Sequence, residues 1–303
     1  MRYRNDDMLY FIALGDAAGV GTEFVRPDEF PELITRARLL QGYVAHPRHL
    51  EMQPGCYSDD TQMSIAVAEV IVGLRHSTGI MPNARDFVDA FVRVYKRDRR
   101  SGYSKAFQVF LDSVVDTDDF IKRIQSNVSE KNGSAMRAVP IGALPHPGQV
   151  LVVASIQART THNTYMGRFG SRAVALMSHF ALYESAGFDK LSEFLMDYLH
   201  EEINTLIPNL RTRKRGPVLQ PVPNTIHAVF DLLTHSDSLF DVLRKAITMG
   251  GDTDTVAAIA VGIASARMPK GIPQVMFDTL EQGRAESIQN LKSLGKKLMD
   301  TYA

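Results

Sequence analysis

The sequence GGDTDT at residues 250–255 runs directly into VAAIAVGIASA at 256–266, a stretch with almost no polar side chain. A helix with no polar face is stable only when protein surrounds it on every side, so the rest of the chain must be built around this segment. Gly250 and Gly251 permit a sharp turn and a close backbone approach to a ligand. Asp252, Thr253, Asp254 and Thr255 stand at the mouth of the predicted helix, where side-chain oxygens accept orphan N–H groups. Taken alone, the pattern is accounted for by helix capping.

A second copy changes that balance. Ser58-Asp59-Asp60-Thr61 opens the apolar run 63–74 in the same way. If the two helix mouths face each other, Asp59, Asp60, Asp252 and Asp254 share one pocket. Bare carboxylates so placed repel, and not all stay ionised. Two divalent cations would cancel the charge. Every donor is a hard oxygen, with no Cys or His in either turn, which favours Mg2+, Mn2+ or Ca2+ over zinc or copper. Spacing alone leaves open whether the turns meet.

The length of 303 residues suits one large domain or two small ones, and a 45% hydrophobic share is enough for a sizeable core. Lys+Arg and Asp+Glu balance at 34 each, so no global field draws nucleic acid or anionic membrane. An anionic ligand must be held by local charge. The single cysteine excludes an internal disulfide and suits a reducing compartment. No apolar run approaches the length of a membrane span, and the short run at 8–14 lacks a cleavage signal behind it. A soluble, cytoplasmic protein is expected.

Along the chain, 8–14 reads as a first helix ending in the glycine-rich stretch 15–23. The order G-x-x-x-G-x-G is not the dinucleotide fingerprint, and no strand precedes it. Asp16 and Glu23 are either site elements or solvated carboxylates after a helix stop. Residues 26–54 read as a long irregular connection of the kind that forms lids, and Cys56 as a packing residue. Pro82-Asn83 marks a helix start, with Phe87, Val88, Phe91, Val92 and Tyr95 on one face. Asp116, Asp118 and Asp119 read as a helix cap. The loop 129–137 has turn chemistry that also suits phosphate or sugar hydroxyls. Residues 150–156 fit a strand or a helix. His162 opens a helical run, either as a ligand contact or as a hydrogen-bonded structural group. The basic cluster 211–215 is a solvated surface loop, Asn224 caps a helix, and a charged helix runs from about Phe277 to the end. The pattern is mainly α.

Together these pieces resemble the ADP-ribosylglycohydrolase family, in particular bacterial members of the dinitrogenase reductase-activating kind. The matching segments are GDAAGVGTEF at 15–24, PGCYSDDTQMSIAVAE at 54–69, NGSAMRAVPIG at 132–142, TH at 161–162 and GGDTDTVAAIAVG at 250–262, in the family's order. The resemblance implies one compact, all-α, multi-helix domain over 1–303 with a binuclear Mg2+ or Mn2+ centre in a cleft. By position, it implies metal ligation by Ser58, Asp59, Asp60, Asp252, Asp254 and Thr255. Ser58 keeps the hydroxyl where the family often has Thr. Glu23, Asp59 and Asp254 take the catalytic positions. Asn132, Gly133, Ser134 and His162 fall where relatives contact diphosphate and ribose, and Gly102 and Tyr103 near the same cleft. Glu130-Lys131 stand where the family often has glycines, which alters the loop's contacts.

The implied reaction is hydrolysis of the glycosidic bond at ribose C1″, through a transition state with positive charge on the sugar. Cations would orient the ribose hydroxyls and activate water, and a carboxylate would exchange a proton with the leaving group. The expected substrate is an ADP-ribosylated protein, with arginine the favoured acceptor and ADP-ribose the product; no membrane or nucleic-acid partner is expected. The alternatives are another acceptor (serine, a nucleobase or a small metabolite), immunity against an ADP-ribosylating toxin, and a non-catalytic ADP-ribose binder.

Overall fold

The computed structural model describes residues 3–74, 81–124 and 128–302. Its helices are α1 (Met8–Val20), α2 (Pro31–Leu39), α3 (Asp59–Gly73), α4 (Ala84–Arg97), α5 (Lys105–Ser113), α6 (Thr117–Ile124) and α7 (Gly133–Met136). There follow α8 (Pro147–Arg159), α9 (Tyr165–Tyr183), α10 (Leu191–Leu206), α11 (Val222–Thr234), α12 (Leu239–Ala246), α13 (Thr253–Ala264), α14 (Gln274–Asp278) and α15 (Ala285–Thr301). Extended backbone among the described residues is limited to isolated bridges, such as Val218 with Gly251. The fold is all-α, as the sequence implies. No helix among the described residues is long and apolar enough to cross a membrane.

The apolar helix at 253–264 lies at the centre, with every residue of α13 buried. Its main partner is α1, which is buried over its whole length. Two glycines bring the backbones together. A Cβ built on Gly15 would sit 2.4 Å from the Ala257 carbonyl oxygen, and one on Gly19 would sit 2.3 Å from the Asp254 Cα. Residues four apart share a helix face, so this spacing cuts a continuous groove into α1 for α13 to occupy. The glycine-rich stretch is therefore a helix contact, not a helix stop, and α1 continues past Leu14 to Val20.

Around this pair the buried apolar side chains form one connected cluster from Met8 to Met299. Helix α3 packs on α1, α4 and α15. Asn83 caps α4 with a reciprocal bond to Asp86, as the Pro-Asn start predicts. The Asp119 N–H donates to Asp116, which confirms that acidic group as a cap.

Several expectations need correction. The connection 26–54 contains α2, whose only buried residue is Ala37, so it carries almost no hydrophobic period. Of the two readings of 150–156, the helix is the one found: these residues lie in α8. Helix α11 starts at Val222, with Pro223 in its first turn, ahead of Asn224. The charged C-terminal helix is interrupted between α14 and α15, where Glu281 (φ 51°) and Gly283 (φ 82°) turn the chain; its last residue lies outside the described ones.

That turn has a purpose. The Glu281 side chain accepts two bonds from Arg100, of 2.7 and 2.8 Å, and a third from the Tyr57 N–H at 3.0 Å. The Arg100 guanidinium also lies 3.7 Å from the Tyr57 ring centroid. A buried ion pair thus clamps the C-terminal segment to the turn before α3 and to the loop carrying Gly102. Neighbouring Cys56 is half-buried, and burial pushes its thiol up, away from the reactive thiolate.

Candidate active site

The two acidic turns meet. Asp59, Asp60, Asp252, Asp254 and Thr255 all line one cleft of about 1060 Å³, and Glu23 joins them. Three architectural devices put them there.

The first is Asp16, buried on α1. Its carboxylate accepts bonds from the Ser58 N–H (2.9 Å), the Ser58 hydroxyl (2.7 Å), the Thr61 N–H (3.0 Å) and the Thr61 hydroxyl (2.6 Å). An acid inside an apolar helix is stable when it finds donors, and the α3 N-terminus supplies them with a favourable dipole. Burial raises Asp16 to about 6, against the lowering by these bonds. The Ser58 hydroxyl gives its hydrogen to Asp16, which leaves its oxygen an acceptor. Ser58 itself is buried, and its bonds to Asp16 help to hold α3 in place.

The second device is the turn at 250–252. Gly250 and Gly251 have φ of 78° and 80°, a region open to glycine at little cost. Val218 pairs on both sides of the turn, donating to Gly250 O and accepting from the Asp252 N–H, each at 2.9 Å. The Phe24 N–H donates to Gly251 O at 2.7 Å, which fixes Glu23 beside Asp252. His46 adds a 2.8 Å bond from Nε2 to the Glu23 carbonyl, its Nδ1 being occupied by the N–H groups of Arg48 and His49. Thr253 faces away from the cleft and bonds to Gly19 O and Thr22.

The third is Asn132, whose side-chain amide donates to Asp252 Oδ2 at 2.6 Å and to Thr225 at 2.9 Å. It orients a carboxylate.

Negative charge is concentrated here. Burial raises Asp59, Asp60 and Asp254 well above the usual carboxylate range. Neighbouring acids add to this: Asp16 and Glu23 act on Asp59, Asp59 and Asp16 on Asp60, Glu23 and Asp252 on Asp254. Glu23 is pushed up to about 8 by burial and then by Asp252. Asp60 Oδ1 and Asp254 Oδ1 are buried with no hydrogen-bond partner among the described residues. Unpaired buried carboxylate oxygens are costly in a protein and suit a cation. Glu23, Asp252 and Asp254 each present an oxygen within 4.8 Å of the others'. Glu23 thus groups with Asp252 and Asp254, while Asp59 and Asp60 line the same cleft from the start of α3.

A family model, that of the ADP-ribosylglycohydrolases, matches residues 6–302. The chain belongs to the ADP-ribosylglycohydrolase family. Relatives include ADP-ribosylhydrolase ARH3 of Danio rerio, 26% identical over 81% of this chain and 78% of that protein. ADP-ribosyl-[dinitrogen reductase] glycohydrolase of Rhodospirillum rubrum is 23% identical, covering 84% of this chain and 82% of that one. A solved structure, an ADP-ribosylglycohydrolase-related protein complex, shares the fold with a TM-score of 0.72 at 23% identity, over 98% of this chain and 97% of that one.

The remaining sequence candidates fall around the same cleft. Gly102, at φ 116°, lies so close to the first turn that a Cβ on it would stand 2.1 Å from Asp59 Oδ1. Tyr103 is buried, and its hydroxyl donates to Gln62 at 2.6 Å. Gly133 lies under the His162 ring, leaving no room for a side chain. Ser134 is fully buried, its hydroxyl donating to the Gly167 carbonyl at 2.8 Å. Sequence reasoning assigned no role to Arg137 or Gln157 and left Asp16 undecided. The available signal was a charged or amide residue inside an otherwise apolar run, which requires an internal partner.

Proposed function

We propose that residues 1–303 form one metal-dependent, cytoplasmic ADP-ribosylglycohydrolase domain that hydrolyses ADP-ribose from protein side chains, arginine first among them. The observation that carries this reading is the convergence of both acidic turns and Glu23 on one cleft, with the buried oxygens of Asp60 and Asp254 left unpartnered. Asp59, Asp60, Asp252, Asp254 and Thr255 would hold two cations, with the Ser58 oxygen as a further acceptor. When bound, Mg2+ or Mn2+ supplies charge balance for the carboxylates and Lewis-acid activation. Glu23 is the group to exchange a proton with the leaving side chain. Asp59 and Asp254, at the starts of α3 and α13, face the sugar. Gly102, Tyr103, Asn132, Gly133, Ser134 and His162 shape the surface on which ribose and diphosphate lie. Phe107 and Phe110, stacked with centroids 5.6 Å apart on the outer wall, offer a shelf for the base. Glu51, exposed in the cleft lining, offers a carboxylate to a cationic guanidinium acceptor.

The direct test is release of ADP-ribose from arginine-linked and serine-linked substrates, with Mg2+, with Mn2+ and after chelation. Metal-dependent release, fastest from arginine, is expected. Turnover undiminished by exhaustive chelation would refute the metal reading, and preference for serine would refute the acceptor. Gly102→Ala should lower turnover about 100-fold, because the new methyl must displace the Asp59 carboxylate. Full activity in that variant would mean that Asp59 need not stand where it does.

A further inference from the structure

Arg137 is a cation in an unusual place. It is 1% exposed, forms no ion pair with any described carboxylate, and lies with its guanidinium carbon 4.4 Å from the Phe91 ring centroid in the cleft wall. Its partners are neutral. Nε donates to Gln157 Oε1, and one terminal nitrogen donates to the Thr161 hydroxyl oxygen at 2.6 Å. Thr161 Oγ1 in turn lies 2.8 Å from Nδ1 of His162.

The direction of this chain follows from donor counting. Arginine only donates, so Thr161 Oγ1 must accept from it. Thr161 is 2% exposed, and its hydroxyl hydrogen has His162 Nδ1 as its only hydrogen-bond acceptor among the described residues. Were Nδ1 protonated, two N–H groups would converge on that oxygen and the hydroxyl hydrogen would be stranded, a costly buried donor. The arrangement that satisfies every group has Nδ1 accepting and Nε2 carrying the proton. Nε2 has no partner among the described residues, and the half-buried ring edge lines the cleft over Gly133.

We propose that Arg137 and Thr161 are positioning residues that lock His162 in its Nε2–H tautomer, making it a fixed donor to an acceptor oxygen of the bound ADP-ribosyl group. The assignment of the ligand rests on the function proposed above; the tautomer does not. Burial, then the Arg137 cation, lowers His162 to about 3, so the ring stays a neutral, single-proton donor at working pH. The same guanidinium steadies the facing loop. Gln157 turns its amide nitrogen to the Ser134 carbonyl at 2.9 Å and to Ser171 at 2.8 Å, because Arg137 occupies its oxygen. One buried cation thereby fixes both the His162 ring and the Ser134 carbonyl beside Gly133.

The test is 15N NMR of the full-length protein with labelled histidine, the His162 signals being assigned by their loss in His162→Gln. The wild type should show an unprotonated Nδ1 and a protonated Nε2 without ligand. Thr161→Val, which is isosteric but gives no hydrogen to Nδ1, should shift His162 toward a tautomer mixture. It should also weaken ADP-ribose binding about tenfold, measured calorimetrically with Mg2+, while the Mg2+-induced thermal shift persists. Thr161→Ser should keep both tautomer and affinity, which separates the relay from a packing defect. A protonated Nδ1 in the wild type would overturn the proposal. So would an affinity loss in Thr161→Val with the tautomer unchanged. Failure of the wild type to bind ADP-ribose would sink the ligand assignment and the proposed function, while the tautomer measurement would still decide the relay.

Discussion

Asp254→Asn should abolish turnover and at the same time stabilise the metal-free protein. The two effects have one origin. Asp254 is 3% exposed, one of its oxygens has no partner, and Glu23, Asp252 and Asp60 surround it with like charge. In the absence of a cation, that cluster can relax only by taking up protons or by straining apart. An amide of the same size removes one charge without opening a cavity. The chelated variant should therefore melt above the chelated wild type, by about 1.5 °C for each kcal/mol of repulsion relieved. Thermal stabilisation by added Mg2+ or Mn2+ should be lost, and ADP-ribose release should fall by at least about 10³-fold. Differential scanning calorimetry with and without metal, beside an initial-rate assay, reads all three. A purely structural Asp254 predicts the reverse sign in the calorimeter: lower stability and a metal response like that of the wild type.

That opposition between stability and chemistry explains which parts of the molecule could be read from sequence. Both acidic turns and the helices behind them are short-range patterns, in which oxygen-bearing residues at a helix mouth meet a long apolar run. Periodicity detects such patterns. It could not show that the turns meet, because the joining contacts are made by Asp16, Asn132 and Val218, which are distant in sequence from the turns they hold. Asp16 sits on a helix that reads as ending two residues earlier, since glycine is ordinarily a breaker. Only the bulk of α13 against α1 shows why that position must be glycine. Ser58, Asn132 and Ser134 illustrate a second limit. Motif position brings them to the site, but whether a side chain faces the cleft or supports another residue depends on where its donors go. Ser134 bonds to the Gly167 carbonyl and Asn132 to Asp252. Arg137 escaped notice because a buried guanidinium held by neutral groups leaves no acidic partner in the sequence to look for.

Gly19→Ala should be strongly destabilising, costing about 3 kcal/mol and unfolding the site before the core. The added Cβ would stand 2.3 Å from the Asp254 Cα, 2.5 Å from its nitrogen and 2.6 Å from the Thr253 carbonyl oxygen. All three are backbone atoms at the start of a fully buried helix, so no rotamer change can make room, and α1 and α13 must separate. Separation at this point also breaks the bonds between the Thr253 hydroxyl and both Gly19 O and Thr22. It draws Asp254 away from Glu23 on the same side. Helix propensity acts the other way, since alanine in place of a helical glycine gains about 1 kcal/mol, so a net loss isolates the packing effect. Denaturant melts should show a lower midpoint with an unchanged slope, and the metal-induced thermal shift should shrink further than global stability alone requires. Gly73→Ala is the internal control: it lies at the end of α3, where a Cβ would meet no atom of the described residues within 4 Å, and should be neutral or slightly stabilising. Equal stability of the Gly19 and Gly73 variants would show that α1 and α13 are not held at glycine-limited distance, and would remove the reason the two acidic turns share one cleft.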